Sequence, residues 1–238
     1  MTIKGILFDK DGTIIDFWRT WVPINREVAL FAARGDLALA DRLLLHGGQD
    51  PATDRITAGS VLAAGSVEAI AGAFIEVLGR AAPADLAAAI DRIFTEGGAK
   101  HSVLLEGARE TVVALKARGF RVGLATNDTA GGMRASLARH GLIAEFEFLA
   151  GCDSGHGGKP GPGMVLAFCA AMVLAPHEVA VVGDAVHDLE MAAAAGAGLK
   201  VGVLCGTSAR ADLVLHADLL VEDVVALLDE PRFQRVGS

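Results

Sequence analysis

Short runs of apolar, often β-branched residues alternate along most of the chain with longer segments rich in alanine and leucine. The short runs predict buried strands at Ile3 to Phe8, Phe120 to Ala125, Glu145 to Ala150, Val179 to Gly183 and Leu199 to Leu204. The longer segments predict helices at Gly107 to Arg118, Gly131 to His140, Met164 to Val173, Val186 to Ala195 and Asp223 to Leu228. This alternation predicts an α/β fold built on a doubly wound parallel sheet.

The region from about Phe17 to Gly97 interrupts the alternation, because it contains no convincing buried strand. It predicts helices at roughly Trp18 to Arg34, Asp36 to Leu45, Ser66 to Arg80 and Ala84 to Thr95. We therefore expect residues 1–16 and 98–238 to form the α/β core and residues 17–97 to form an inserted all-helical domain. The hinges are expected at Ile14 to Asp16 and at Gly97 to Lys100, where two glycines give the backbone freedom.

Composition indicates a globular protein with a small partner. The chain has 238 residues, of which 52% are hydrophobic, and its formal net charge is −8. The acidic excess, without a cluster of Lys or Arg, disfavours nucleic-acid binding. Cys152, Cys169 and Cys205 form no CxxC pair, and the longest uncharged run, Pro160 to Pro176, is too short to span a bilayer. We expect a cytoplasmic protein with no membrane partner, while its oligomeric state is left open.

Two carboxylates directly follow the first predicted strand, in the sequence Asp9-Lys10-Asp11-Gly12-Thr13. Side chains two residues apart in an extended backbone point the same way, so Asp9 and Asp11 address one small volume and Lys10 points away from them. One carboxylate can attack while the other handles a proton, which indicates a phosphoryl-transfer centre. For the pair alone, ordinary turn chemistry is a competing interpretation.

Candidate polar side chains also lie after the second predicted strand, in the loop that follows the third, and after the fourth. Thr126 and Asn127 offer a hydroxyl and a backbone N–H for a phosphate oxygen, although this sequence is also typical of a turn with a helix cap. Lys159 lies in a Gly-Gly-Lys-Pro loop, which does not match a Walker A pattern. Asp184 and Asp188 follow the fourth strand and, together with Asp9 and Asp11, predict a site of hard oxygen ligands.

Four motifs in this order, Asp9-x-Asp11-Gly12-Thr13, Thr126-Asn127, Lys159-Pro160 and Gly183-Asp184-x-x-x-Asp188, resemble those of the haloacid dehalogenase superfamily of phosphohydrolases. The resemblance covers essentially the whole chain and is strongest to the phosphoglycolate-phosphatase-like branch. It implies a Rossmann-like core with a helical cap of the C1 type inserted after the first motif, in agreement with the insertion expected above.

The same resemblance implies a role for each motif residue. Asp9 is the nucleophile that forms an aspartyl-phosphate, and Asp11 is the acid that protonates the leaving oxygen and then the base that activates water. Thr126 and the N–H of Asn127 bind the transferring phosphoryl group, while Lys159 balances its charge. The implied cofactor is Mg²⁺. Its implied ligands are the Asp9 carboxylate, the backbone carbonyl of Asp11 and the Asp184 carboxylate, and Asp188 binds it directly or through water.

Substrate choice is expected to lie in the cap. Arg55, in the polar segment Gly47 to Ser60, is a candidate for binding an anionic tail, and an exposed loop arginine is the competing interpretation. Phe17, Trp18 and Trp21 either wall the pocket or belong to the core of the cap. The family resemblance makes phosphoglycolate the default substrate, followed by small sugar or nucleotide monophosphates.

Other activities are weighed against this one. A sugar phosphomutase has the same four motifs and stays open as the alternative. A dehalogenase does not need Asp11, and a phosphonate hydrolase needs a cap lysine, whereas no lysine occurs between Lys10 and Lys100. A receiver domain is shorter and carries its acceptor mid-chain. A non-catalytic phosphate-binding module is disfavoured because neither Asp9 nor Lys159 has been lost.

Overall fold

A six-stranded parallel sheet forms the centre of the computed structural model, which describes residues 2–234. The strands are β1 (Gly5–Phe8), β2 (Arg121–Ala125), β3 (Phe148–Ala150), β4 (Val179–Gly183), β5 (Leu199–Val203) and β6 (Leu219–Val221). Their order across the sheet is β3-β2-β1-β4-β5-β6. The predicted doubly wound parallel sheet is therefore confirmed. The sixth strand was missed because its apolar run has only three residues and is flanked by Asp218 and Glu222.

Ten α-helices accompany the sheet in the described part of the chain. They are α1 (Phe17–Ala32), α2 (Leu37–Gly47), α3 (Val61–Ala64), α4 (Val67–Leu78), α5 (Leu86–His101), α6 (Ala108–Ala117), α7 (Ala130–Arg139), α8 (Gly163–Met172), α9 (Val186–Ala195) and α10 (Arg210–Leu213). The helix predicted at Asp223 to Leu228 is wrong, because Val225–Leu228 forms only a 3₁₀ turn. The Asp223 carboxylate accepts from the N–H groups of Val225 and Ala226, which favours a tight turn at that point.

The sheet is buried on both faces, as its unbroken apolar strands predict. Along β1, Ile6 and Phe8 face a core formed with α6 and α7, whereas Leu7 faces a second core formed with α8 and α9. All three side chains have 0% exposure. The side-chain alternation of one strand therefore supplies both cores, and it fixes the register of β1 at the centre of the sheet.

The inserted region forms an all-helical cap with its own apolar core. Helices α1 to α5 enclose a separate cluster in which Val28, Phe74 and Ile90 have 0% exposure. Asp16 caps α1 by accepting from the backbone N–H of Arg19, so the first helix of the cap begins at Phe17 as expected. The predicted helical cap is confirmed as an element of the fold.

The second connection between cap and core differs from the expectation. Gly97 and Gly98 lie inside α5 and are buried, so they do not act as a flexible hinge. A Cβ on Gly97 would lie 2.8 Å from Ile24 Cγ1, and one on Gly98 would lie 2.4 Å from Ser136 Oγ. These glycines therefore allow α5 to pack closely on α1 of the cap and on α7 of the core.

The chain crosses between cap and core at two antiparallel segments. The N–H of Asp16 donates to the carbonyl of Val103 at 2.8 Å, and the N–H of Leu105 donates to the carbonyl of Ile14 at 3.0 Å. We propose on this basis that the second boundary of the cap lies at Ser102, after the end of α5, and not at Gly97. Within residues 2–234, no helix is both long and apolar enough to cross a bilayer.

Candidate active site

The candidate site lies where β1, β2 and β4 end, below the cap. Strand order reverses direction at β1, and ligand sites of doubly wound sheets form beyond the carboxyl ends of strands at such a point. Asp9 directly follows β1, Thr126 follows β2, and Asp184 follows β4. Because β1 pairs with both β2 and β4, the parallel register brings these three side chains to one edge of the sheet.

Three buried carboxylates meet one buried ammonium group at this edge. Single oxygens of Asp9, Asp184 and Asp188 lie within 4.8 Å of one another. The Lys159 ammonium contacts Asp9 and lies 2.6 Å from Asp188 Oδ1. All four side chains are at most 7% exposed, so three negative charges are offset by only one positive charge in a place that water does not reach freely.

This excess of buried negative charge determines the pKa values at the site. Burial, together with the nearby Asp9 and Asp188 charges, raises the pKa of Asp184 to about 8. Burial and the Asp188 and Asp11 charges raise the pKa of Asp9 to about 6, although Lys159 opposes the shift. Burial alone would raise the pKa of Asp188, but Lys159 and His187 hold it below its usual range. A divalent cation would relieve the repulsion that raises the first two values.

Gly12 and Thr207 hold Asp184 in place. The Asp184 Oδ2 atom accepts from the Thr207 backbone N–H at 2.7 Å and from its hydroxyl at 3.0 Å. Gly12 has φ +87°, and a Cβ there would lie 2.5 Å from the same oxygen, so only glycine fits this turn. Sequence reasoning missed Thr207. Its position in the loop after β5 was the only available signal.

Asp11 is held by a network that joins core and cap. The Trp21 indole N–H donates to Asp11 Oδ1 at 2.7 Å, and Lys10 Nζ lies 3.1 Å from Asp11 Oδ2. Lys10 also binds Asp128 Oδ2 at 2.6 Å and lies 5.0 Å from the centre of the Trp21 ring. The expectation that Lys10 points away from its neighbours is wrong. Its long side chain turns back because a fully buried ammonium needs carboxylate partners.

Asn127 fixes the loop that carries Lys159. Its Oδ1 accepts from the Lys159 backbone N–H at 2.8 Å, and its amide group lies 3.4 Å from the carbonyl of Ala64 in the cap. The Thr126 hydroxyl accepts from the backbone N–H of Asp128 at 3.1 Å. The structure thus brings both predicted phosphate-binding residues to the site, and Asn127 has a positioning contact that the sequence did not indicate.

A cavity of about 660 Å³, including its open mouth, lies between the acidic residues and the cap. Phe17 and Trp21 line it and also belong to the apolar core of the cap, so both interpretations of these residues hold. Trp18 packs on the cap core and does not line the cavity. Arg55 is exposed and is not among the lining residues, so the structure does not bring this predicted substrate-binding residue to the site.

The donor set fits Mg²⁺. Mg²⁺ prefers a few carboxylate oxygens together with water and phosphate oxygens, and the cluster of Asp9, Asp184 and Asp188 offers only hard oxygen donors. Asp9 Oδ2 is buried and has no hydrogen-bond partner among the described residues. An unpaired buried carboxylate oxygen is costly without a cation, so this atom itself points to a ligand.

Sequence comparison with known proteins gives a consistent result. The model of the haloacid dehalogenase-like hydrolases matches residues 3–196. The chain is 27% identical over 208 residues to the phosphoglycolate phosphatase of Escherichia coli strain K12, with 82% of this chain and 79% of that protein covered. It is 26% identical over 208 residues to the phosphoglycolate phosphatase of Salmonella typhimurium, with the same coverage.

Solved structures share the fold at lower identity. A Haemophilus somnus protein assigned as a phosphoglycolate phosphatase superposes with a TM-score of 0.75 at 22% identity, covering 96% of this chain and 98% of that one. A Thermotoga maritima protein assigned as a beta-phosphoglucomutase superposes with a TM-score of 0.71 at 20% identity, covering 96% and 100%. These likenesses establish the arrangement of core and cap.

Proposed function

The chain belongs to the haloacid dehalogenase-like hydrolase family, and on that premise we propose that it is a Mg²⁺-dependent phosphatase of small phosphomonoesters. The observation that carries the proposal is the set of three buried carboxylates around Lys159 at the ends of the central strands. The phosphoglycolate phosphatases among the relatives support the reaction type.

In the proposed reaction, a carboxylate oxygen of Asp9 attacks phosphorus and forms an aspartyl-phosphate as the ester P–O bond breaks. Asp11 gives its proton to the leaving alkoxide and then takes a proton from the water that hydrolyses the intermediate. Thr126 and the Asn127 N–H bind the phosphoryl oxygens, while Lys159 offsets their charge. When bound by Asp9, the Asp11 carbonyl, Asp184 and Asp188, Mg²⁺ supplies the positive charge that lets a carboxylate approach a phosphate dianion.

The test is phosphate release from p-nitrophenyl phosphate by the wild type and by Asp9→Asn, each with Mg²⁺ or with EDTA. We expect turnover only in the wild type with Mg²⁺. Asp41→Asn is the matched control, because Asp41 is exposed on α2 and lies outside the cavity. Quenched samples with ³²P-labelled substrate should carry label on Asp9. Full activity of Asp9→Asn, or of the wild type in EDTA, would refute the mechanism.

A sugar phosphomutase is the second candidate, supported by the beta-phosphoglucomutase assignment of one structural neighbour. Both activities start from the same aspartyl-phosphate, but a mutase returns the phosphoryl group to a second sugar hydroxyl. Incubation with glucose 1-phosphate separates the two. Conversion to glucose 6-phosphate without free phosphate would favour the mutase, whereas free phosphate favours the phosphatase.

A further inference from the structure

The wall that the cap presents to the cavity is apolar. The side chains that form it come from α1, α4, α5 and the segment around α3, and they are Phe17, Trp21, Leu62, Val67, Ile70 and Phe94. Each is at most 8% exposed. A hydroxyl or carboxylate pressed against such a surface loses its bound water without gaining a partner, whereas a hydrocarbon group gains by the burial.

Three polar groups on this wall already have partners within the protein. The Trp21 indole N–H donates to Asp11, and the amide group of Asn25 donates to Gln49 Oε1 at 3.1 Å. The carbonyl of Ala64 lies 3.4 Å from the Asn127 amide group. A substrate with several hydroxyls, such as a hexose phosphate, would therefore find few free partners in the cap.

The charge of the cavity is also unsuited to an acidic leaving group. The ionisable side chains that line it are Asp9, Asp11, Asp128, Asp184 and His187, and none of the lysines or arginines in residues 2–234 lines it. Lys10 and Lys159 lie beside the cavity, but each is buried and contacts two carboxylates. A phosphoryl group reaches Lys159, and His187, the lining side chain that can carry positive charge, lies 3.2 Å from Asp188 Oδ1. A carboxylate at the cap side of the cavity would therefore meet no lysine or arginine of the described residues.

The cap loop does not supply the missing cation. Arg55 is exposed and outside the cavity, and Arg26 binds Asp54 at 2.6 Å and the carbonyl of Pro51 at 2.6 Å. The positive charge of Arg26 is thus used within the cap itself. Phosphoglycolate carries a carboxylate one methylene from its ester oxygen, and no lysine or arginine of the described residues lines the cavity to pair with it.

We propose that the leaving group is an uncharged and largely apolar alcohol, so that the substrate class is the phosphate monoester of a neutral hydrocarbon-rich alcohol. This inference rests on the proposed phosphatase function and narrows it. The chemistry is unchanged: the ester P–O bond breaks, the phosphoryl group passes to Asp9, and the alcohol leaves with the proton from Asp11. Water then hydrolyses the aspartyl-phosphate to free phosphate and the carboxylate.

The first experiment compares kcat/KM for benzyl phosphate, phosphoglycolate and glucose 6-phosphate, measured by phosphate release with Mg²⁺. All three release an alcohol and not an acidic phenol, so the comparison reports mainly on binding of the leaving group. We expect benzyl phosphate to exceed both others by about 10-fold or more, since a hydrophobic pocket discriminates at about this level. An equal or higher value for phosphoglycolate or glucose 6-phosphate would overturn the proposal.

The second experiment adds the absent charge. Ala64 is half-buried at the cavity, so Ala64→Lys places a cation there without filling the core, and Ala38→Lys adds the same charge on the exposed face of α2. The ratio of kcat/KM for phosphoglycolate to that for benzyl phosphate should rise by about 10-fold in Ala64→Lys and stay within about 2-fold in Ala38→Lys. No rise in Ala64→Lys, or a selective loss of phosphoglycolate hydrolysis in Arg55→Ala, would overturn the proposal.

These experiments distinguish failure of the proposed substrate class from failure of the proposed phosphatase function. Phosphate release that requires Asp9 but prefers phosphoglycolate overturns only the specificity claim. Phosphate release that persists in Asp9→Asn, or no release from any of the three esters, overturns the proposed function together with the inference that rests on it.

Discussion

Replacing Asp184 with asparagine should stabilise the metal-free protein while it removes activity. Asp184 is 2% exposed, and burial together with the Asp9 and Asp188 charges raises its pKa to about 8. In the unfolded chain the same carboxyl titrates near pH 3.9. Between these two values the folded state binds a proton that the unfolded state does not, so this group makes the protein less stable as the pH rises from about 4 to about 8.

The size of the effect follows from the same two values. One pH unit corresponds to about 1.4 kcal/mol, so holding Asp184 in the metal-free site at pH 7.5 costs at most ~5 kcal/mol. Water entry and small movements of the neighbouring carboxylates reduce this figure. The asparagine carbonyl can accept the two hydrogen bonds from Thr207 that Asp184 Oδ2 accepts now, so little is lost. We expect the free energy of unfolding to rise by ~1–3 kcal/mol.

The assay is urea unfolding in EDTA at pH 7.5 and at pH 5.5, with Asp41→Asn as the control on an exposed surface. The rise in the free energy of unfolding caused by Asp184→Asn should be less than half as large at pH 5.5 as at pH 7.5, because the cost of burying the Asp184 carboxyl falls as the pH approaches its pKa in the unfolded chain. Mg²⁺ should stabilise the wild type and not the variant. A loss of stability in Asp184→Asn in EDTA at pH 7.5, or an equal gain at both pH values, would refute the reasoning.

Three further substitutions test other contacts. Trp21→Phe removes the donor to Asp11, so kcat/KM, which reports on the first half-reaction, should fall by about 10-fold with benzyl phosphate and much less with p-nitrophenyl phosphate, whose leaving group needs no proton. Equal losses of kcat/KM on both substrates would contradict this role of the contact. Lys10→Met leaves Asp128 buried without its cation and should lower the free energy of unfolding, measured in urea, by ~3 kcal/mol. The double variant Lys10→Met/Asp128→Asn should recover part of the lost stability, and additive losses in the double variant would rule out the pairing. Gly97→Ala should lower the free energy of unfolding by ~1–3 kcal/mol in the same assay, although alanine favours helices, because the added methyl group meets Ile24. Adding Ile24→Ala should reduce this loss. A stabilised Gly97→Ala variant would mean that α1 moves to make room for the methyl group.

The sequence alone could predict the placement of those site residues that directly follow a strand. Asp9, Thr126 and Asp184 each follow an unmistakable apolar run, and parallel strands carry such residues to a common edge. Asp188 could be placed as well, because it lies in the first turn of a helix that begins where predicted. For these residues, the sequence pattern was enough to predict that they meet, and their chemical roles stay predictions.

Contacts between distant segments could not be predicted in this way. Thr207 reaches Asp184 from a loop with no motif, and Trp21 reaches Asp11 only through the angle at which α1 leaves the core. The turn of Lys10 toward Asp128 depends on a partner 118 residues away. Arg55 was chosen by loop composition, which does not determine whether a loop reaches the cavity. The paired glycines of α5 suggested a hinge because glycine is common both in flexible joints and in close helix contacts.

The continuity of α5 has a mechanical consequence for how the cavity can admit a substrate. This helix has 16 residues, or ~24 Å, and lies along α7 over much of its length. Near its middle, Asp91 accepts from the Thr129 hydroxyl at 3.1 Å, and toward its end Gly98 lies against Ser136. The cap is therefore held to the core along a helix–helix contact, and an opening of the cavity that leaves this contact intact has to come from the cap helices that do not pack on α7.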